Sequence, residues 1–298
     1  MRYTTQLALY PRLGHLPDRL CYSLGEWIAR HNERENSEDL RIFEQGLTRL
    51  IPESKGDTEY LLKQRYSRAR MMVFDHLDCY RMASFKTDKA PPLVTLEGAE
   101  HLDNALQAGH GAILLISHFG RFFMLGPGLG LNGHPFAMLT TRVDESNPAY
   151  ADPAVLNYWQ QKMRNTLHHS RFEWLTTGNN YRKIFQVLKQ NKPLLIALDG
   201  TETDSSERIE IPFFNTQLSL PAGTIRIAER SKAPIVYAAV YNHSTSPNVH
   251  IMIRPLSTDP TAALHEAVST LESDIRKTPW QWWQWPALGT LCPDLAHP

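Results

Sequence analysis

The stretch Ala112-Ile113-Leu114-Leu115-Ile116-Ser117-His118-Phe119-Gly120-Arg121-Phe122-Phe123 decides how this chain is read. Its apolar run is far too short for a membrane span and delivers a histidine onto a Gly-containing turn. That is the pattern of a buried strand with a polar side chain at its carboxyl end. In an open α/β sheet, ligands bind at that edge. Imidazole, with an unperturbed pKa of about 6.5, suits general-base work near neutrality. A hydrogen-bonded structural histidine at a strand end fits the same pattern, and the residues alone leave both readings open.

Outward from this strand, the chain after Pro91-Pro92 alternates short apolar runs with helical stretches. The runs are Val94–Leu96, Ile113–Ile116, Phe136–Leu139, Leu194–Leu198, Ile235–Tyr241 and Val249–Ile253. The helical stretches fall near 99–108, 151–169, 180–190, 221–231 and 262–276. This predicts an α/β fold with a mixed, largely parallel central sheet flanked by helices. Upstream, Leu16, Leu20, Leu24, Trp27 and Ile28, then Leu40, Ile42, Phe43, Leu47 and Leu50, recur at helical spacing. Residues 1–90 therefore read as an N-terminal helical layer and 91–298 as an α/β domain, together one compact unit. The mixed charge run Arg30–Asp39 reads as a solvated turn and helix start.

At 298 residues and 42% hydrophobic content, the chain can build a substantial core. Lys+Arg and Asp+Glu both count 31, so there is no global field to hold a polyanion, and nucleic acid is not an expected partner. Cys21, Cys79 and Cys292 are far apart, with no metal or redox spacing, which fits a reduced, cytoplasmic setting. His168-His169 diverge on a helix and make no metal pair. No cofactor or metal is expected. The first dozen residues lack the apolar region of a signal peptide, and charges interrupt every candidate span. The expectation is a soluble protein, with peripheral membrane contact left open. The Gly126–Gly133 stretch has no following Lys-Ser/Thr or acidic ribose partner, so it reads as small residues that let a helix pack closely and then stop.

Several motifs in order resemble a known family. Leu96-Glu97-Gly98-Ala99-Glu100-His101-Leu102, Gly109-His110-Gly111-Ala112 and Ser117-His118-Phe119-Gly120 are similar to the late acyltransferases of bacterial lipid A biosynthesis, in the lysophospholipid acyltransferase superfamily. Asp199-Gly200, Ile209-Glu210-Ile211-Pro212-Phe213-Phe214-Asn215, the Leu220–Ala228 stretch, Ala233-Pro234-Ile235-Val236 and the tail Ile275–Trp283 continue the likeness. The resemblance implies a glycerolphosphate acyltransferase-like fold. It also implies transfer of an acyl group from an acyl carrier protein or coenzyme A thioester to a hydroxyl or amine on a lipid or small-molecule acceptor, at the inner face of the inner membrane. In the family's His-x4-Asp/Glu signature, His is the general base and the acid fixes its tautomer.

Here the fifth residue after His118 is Phe123, which can neither accept an imidazole N–H nor stabilise an imidazolium. Loss of the acid in a triad-type enzyme costs about 10⁴ in rate when the wrong tautomer results. Asp144, Asp199, Glu202, Asp204 and Glu207 are candidate replacements. Asp199 is preferred because it ends the apolar run Leu194–Leu198 and reaches the same sheet edge as His118, although an Asp-Gly turn accounts for it equally well. Arg142 stands where the family places a basic residue, implying contact with an anionic acceptor or donor. Arg121 is expected to bind substrate or replace a lost charge, with a plain surface Arg as the alternative. Phe213 and Phe214, with Trp280, Trp282, Trp283 and Trp285, read as an apolar substrate wall or membrane-facing rim, or else as a tail packed on the core. Backbone N–H groups at Phe119-Gly120 are candidate oxyanion donors. Ser117 is not expected to be a nucleophile, because adjacent strand residues face opposite ways and no Gly-x-Ser-x-Gly elbow surrounds it.

Phe123 and Arg121 point to a specialised transferase that serves a carrier-bound acyl or aminoacyl donor in a biosynthetic pathway or a lipid-modification system. An acyl-chain or carrier-protein binding protein without chemistry, and a thioester hydrolase, remain as alternatives.

Overall fold

Four helices precede the first strand: α1 (Tyr3–Gly14), α2 (Asp18–Arg34), α3 (Glu38–Leu50) and α4 (Thr58–Arg81). This is a computed structural model, and it describes residues 3–35, 37–86, 93–170, 173–178, 181–201 and 207–295. Helix α4 is buried on several sides, which is why apolar residues such as Met71, Val73, Phe74 and Leu77 alternate in it with buried Arg68, Asp75, Asp78 and Arg81. The buried face of α2 is Cys21, Tyr22, Gly25, Ile28 and Ala29, whereas Leu20, Leu24 and Trp27 face outward. The helix forms as its spacing predicts, but part of its apolar stripe is not core. The described residues of the Arg30–Asp39 charge run are exposed or half-buried across the end of α2 and the start of α3, as a solvated turn requires.

The α/β region then runs β1 (Val94–Glu97), α5 (Ala99–Leu106), β2 (Ala112–Ile116), α6 (Leu125–Gly130), β3 (Ala137–Thr140), α7 (Pro153–Thr166), β4 (Trp174–Thr176), α8 (Tyr181–Lys189) and β5 (Pro193–Ala197). It continues with β6 (Arg208–Phe213), β7 (Thr216–Pro221), α9 (Gly223–Ser231), β8 (Ile235–Asn242), β9 (Val249–Pro255), α10 (Pro260–Lys277) and a short α11 (Leu288–Leu291). Among the described residues, seven strands form one sheet in the order β1-β9-β8-β2-β5-β3-β4, with only the β8–β9 pair antiparallel. Strand β2 is buried at all five positions, as a central parallel strand covered on both faces must be. Its register with β5 pairs Ile116 with Ala197, so the two strands end side by side. The Leu198 N–H donates to the Ile116 carbonyl at 2.6 Å, carrying the pairing one step past the strands.

Three strands go beyond the sequence reading. Strand β4 was not expected, because three residues carry too little periodicity to register. Strands β6 and β7, which are not among the expected apolar runs, pair in a separate antiparallel hairpin, and Ile209–Phe213 of the family-like stretch lies in β6. The Gly-rich stretch becomes α6, as read. A Cβ on Gly126 would meet the Thr166 carbonyl oxygen at 2.1 Å, so close packing accounts for the small residues there. Among the described residues, no helix is long and apolar enough to cross a membrane.

Candidate active site

Parallel neighbours β2 and β5 place the residues that follow them at one sheet edge, and this brings His118 and Asp199 together. His118 Nδ1 donates to Asp199 Oδ1 at 2.8 Å, and the His118 backbone N–H donates to the same oxygen at 2.9 Å. Trp282 Nε1 donates to Asp199 Oδ2 at 2.8 Å, so both carboxylate oxygens are held. Asp199 is fully buried. Burial alone would raise its pKa. The charge of His118, the hydrogen bonds from His118 and the Trp282 indole outweigh that cost and hold the carboxyl below its ordinary value.

An ionised Asp199 accepts only, so the proton between the two groups sits on Nδ1. The basic lone pair of the imidazole is then on Nε2. Gln284 Nε2 lies 3.1 Å from His118 Nδ1 and 2.7 Å from the Asp199 carbonyl oxygen. Since Nδ1 already donates to the carboxylate, the amide donates to the carbonyl and braces the ring edge.

His118 retains 26% side-chain exposure and lines a cavity of about 490 Å³. Much of the wall is apolar, including Phe122, Phe123, Leu125, Met138, Trp159 and Trp283. The Phe122 ring stands edge-on to the imidazole at 5.0 Å, and Phe123 lies 4.2 Å beyond it. Phe123 occupies no hydrogen-bonding position next to Nδ1, because Asp199 already fills it.

The turn after His118 is tightly fixed. Gly120 has φ +62°, and a Cβ there would meet the Val240 carbonyl oxygen at 1.9 Å. The Gly120 N–H donates to the Gln281 carbonyl at 2.8 Å and the Phe119 N–H to the Ser117 carbonyl at 2.8 Å. Both N–H groups expected as oxyanion donors are therefore engaged. The Ser117 hydroxyl is buried and pairs with Tyr237 OH at 2.7 Å, as a residue facing away from the ligand edge should.

Other expected site residues lie elsewhere. Arg121 is only 1% exposed and forms an ion pair with Asp78 at 2.7 Å, with further bonds to Asn242 and the Pro247 carbonyl. It ties α4 to the β8–β9 connection and does not line the cavity, so neither the substrate role nor the surface alternative fits it. Phe213 is fully buried with its ring 5.8 Å from Trp282, and so backs the indole that holds Asp199. Phe214 sits at the β6–β7 turn with φ +53°, its N–H on Glu272 and the Arg276 guanidinium 4.3 Å from its ring. Neither phenylalanine lines the cavity. Trp280, Trp282 and Trp285 are core, while Trp283 reaches the cavity and donates to the Gly120 carbonyl.

Arg142 is half-buried between Thr141 and Val143, which line the cavity; its own carbonyl accepts from Asn147. Asp144 is exposed and binds Ser146, and Glu207 pairs with Arg226, so neither meets His118. Glu202 and Asp204 lie outside the described residues.

The sequence reading missed Gln284, Trp282 as a ligand of Asp199, and a buried Lys162–Asp75 ion pair on the cavity wall. Trp282 is in the aromatic tail read as a wall, rim or packed tail, and Gln284 is one residue beyond the Ile275–Trp283 stretch that carried the likeness. The third joins residues 87 positions apart, which no local spacing reveals.

The family model described as bacterial lipid A biosynthesis acyltransferase matches residues 5–285. The chain is also similar to a phosphatidylinositol mannoside acyltransferase of Mycolicibacterium smegmatis (strain ATCC 700084 / mc(2)155), 26% identical over 189 residues. That match covers 61% of this chain and 58% of the relative. With a family match over nearly its whole length and the expected histidine at the expected strand end, the chain belongs to the bacterial lipid A biosynthesis acyltransferase family.

Proposed function

We propose that this protein transfers an acyl group from a thioester, on acyl carrier protein or coenzyme A, to a hydroxyl or amine of a lipid or small-molecule acceptor. The observation that carries the reading is His118 at the cavity, with Nδ1 held by buried, ionised Asp199. Nε2 of His118 takes the acceptor's proton as its oxygen or nitrogen attacks the thioester carbonyl. Asp199 stabilises the resulting imidazolium. Collapse of the tetrahedral intermediate breaks the C–S bond, and the thiolate leaves with the proton returned from Nε2. Such base catalysis is worth about 10²–10⁴ in rate. The apolar wall suits the acyl chain. With the Phe119 and Gly120 N–H groups engaged, threonine hydroxyls on the cavity wall, such as Thr141, Thr177 and Thr224, are the candidate donors to the developing oxyanion.

Arg142, beside the cavity, is placed to meet an anionic headgroup or the donor's phosphate. The relative's name points to a glycolipid acceptor, which fits work at the inner face of the inner membrane. Phe123 favours a second reading, a binding protein without chemistry; Asp199 on Nδ1 answers it by supplying the acid elsewhere.

The test is to incubate the protein with a panel of loaded carrier proteins and coenzyme A thioesters, with and without lipid extract, and follow thiol and acylated product by mass spectrometry. Thiol release coupled to a new acylated product, abolished in His118→Ala, supports transfer. Free acid in place of acylated product indicates a hydrolase, and donor binding without turnover indicates a binding protein.

A further inference from the structure

The largely apolar cavity wall carries one buried ion pair. Asp75, from α4, and Lys162, from α7, both line the cavity, and each is 2% exposed. Lys162 Nζ donates to Asp75 Oδ2 and, at 3.2 Å, to the Tyr158 hydroxyl. It also lies 4.2 Å from the centre of the Phe123 ring and 5.0 Å from that of Trp159. Two charges taken out of water are tolerated only when their remaining hydrogen-bonding positions are met. The ammonium meets this condition through oxygens and aromatic faces. Lys162 takes Oδ2 of the carboxylate, and among the described residues no protein donor is bonded to Oδ1, which is not sealed in the core and can be reached by water from the cavity that Asp75 lines. A hydrocarbon chain lying against this wall would leave that oxygen bare, whereas a hydroxyl would complete it.

The pair stands at a reachable distance from the reacting end. From His118, the wall runs over Phe122 at 5.0 Å, Phe123 a further 4.2 Å on, and the ammonium 4.2 Å beyond that. A thioester whose carbonyl sits at His118 can lay its chain along these rings toward Asp75. We infer that the preferred acyl group ends in a hydroxyl, which donates to Asp75 and is oriented by Lys162. This rests on the acyl-transfer reading for the thioester end and adds a specificity for the far end.

The test uses straight-chain acyl N-acetylcysteamine thioesters of increasing length, each made with a terminal methyl and with a terminal hydroxyl. Binding is followed by quenching of tryptophan fluorescence, since Trp159 and Trp283 line the cavity, and turnover by thiol release. At the length that spans the wall, the hydroxyl member should bind about tenfold tighter or more, the ratio one hydrogen bond to a charged group supplies. In the Asp75→Leu/Lys162→Met double variant, which removes both charges, that ratio should collapse to one or invert. Equal or tighter binding of the methyl member at every length by the wild type would by itself overturn the inference, whatever the variant does. A hydroxyl preference that survives in the double variant would also overturn it. Preferential binding without turnover would support the inference and count against acyl transfer; turnover without preference would do the reverse. Failure of both members to bind at any length would overturn both.

Discussion

Replacing Phe123 by Asp restores the His-x4-Asp signature in the sequence, yet the structure predicts no gain from it. His118 Nδ1 is occupied by Asp199 at 2.8 Å, so a carboxylate at position 123 has no imidazole N–H to accept. The ammonium of Lys162, 4.2 Å from the centre of the Phe123 ring, is already committed to Asp75. Phe123 is 6% exposed and packs on Phe122 and Trp159. Truncating a buried phenylalanine costs about 3–5 kcal/mol. A buried carboxylate adds desolvation that a shared Lys162 offsets only in part. At roughly 2–4 °C per kcal/mol for domains approaching this size, the melting midpoint should fall by roughly 6–20 °C. Turnover per folded molecule should not rise. The assay is a circular-dichroism melt beside thiol release from a donor thioester, at a temperature where both proteins are folded. A Phe123→Asp variant that melts with the wild type and turns donor over tenfold faster would refute the reasoning, since His118 would then be using an acid at position 123.

Arg121→Met removes one partner of a buried pair and leaves Asp78 uncompensated, so stability should fall by about 3–5 kcal/mol in a urea titration, with donor KM unchanged in the folded protein. Unchanged stability with a raised KM would return Arg121 to the substrate. Trp282→Phe keeps an aromatic ring but deletes the indole N–H and its hydrogen bond to charged Asp199, a loss of about 1.5–3 kcal/mol. The same residue sets a pH dependence. Asp199 is held below the ordinary carboxylate value in the fold, so its contribution is in place above the unfolded pKa of about 3.9 and is lost as pH falls through the lower folded value. Urea midpoints measured against pH should therefore drop less steeply on the acid side in Trp282→Phe than in the wild type. Parallel acid limbs in the two proteins would show that Trp282 does not tune this carboxylate.

How much of this was legible in the sequence depended on range. The continuous apolar runs around Ile113 and Leu194 announce central parallel strands, because a strand covered on both faces needs no alternation. Once both are strands of one sheet, His118 and Asp199 at their carboxyl ends follow from topology, although nothing local says they touch. Arg121 shows the converse. Its neighbours in the chain are site residues, but its partner Asp78 lies 43 positions upstream on a helix, and that long-range pair draws it into the core. Phe213 was singled out for an apolar wall and serves one layer behind it, supporting Trp282. The outward face of α2 misleads for a related reason, since helical spacing identifies an apolar stripe but not what covers it.

The central claim is that His118, oriented by Asp199 in place of the signature acid, moves acyl groups. The most direct measurement is the single-turnover rate of coupled thiol release and acylated-product formation, in wild type and Asp199→Asn, with the fold of each verified. The account predicts product from the wild type and a rate lower by about 10⁴ in Asp199→Asn, where the amide no longer holds the productive tautomer. Wild-type rates from a folded Asp199→Asn protein would contradict it.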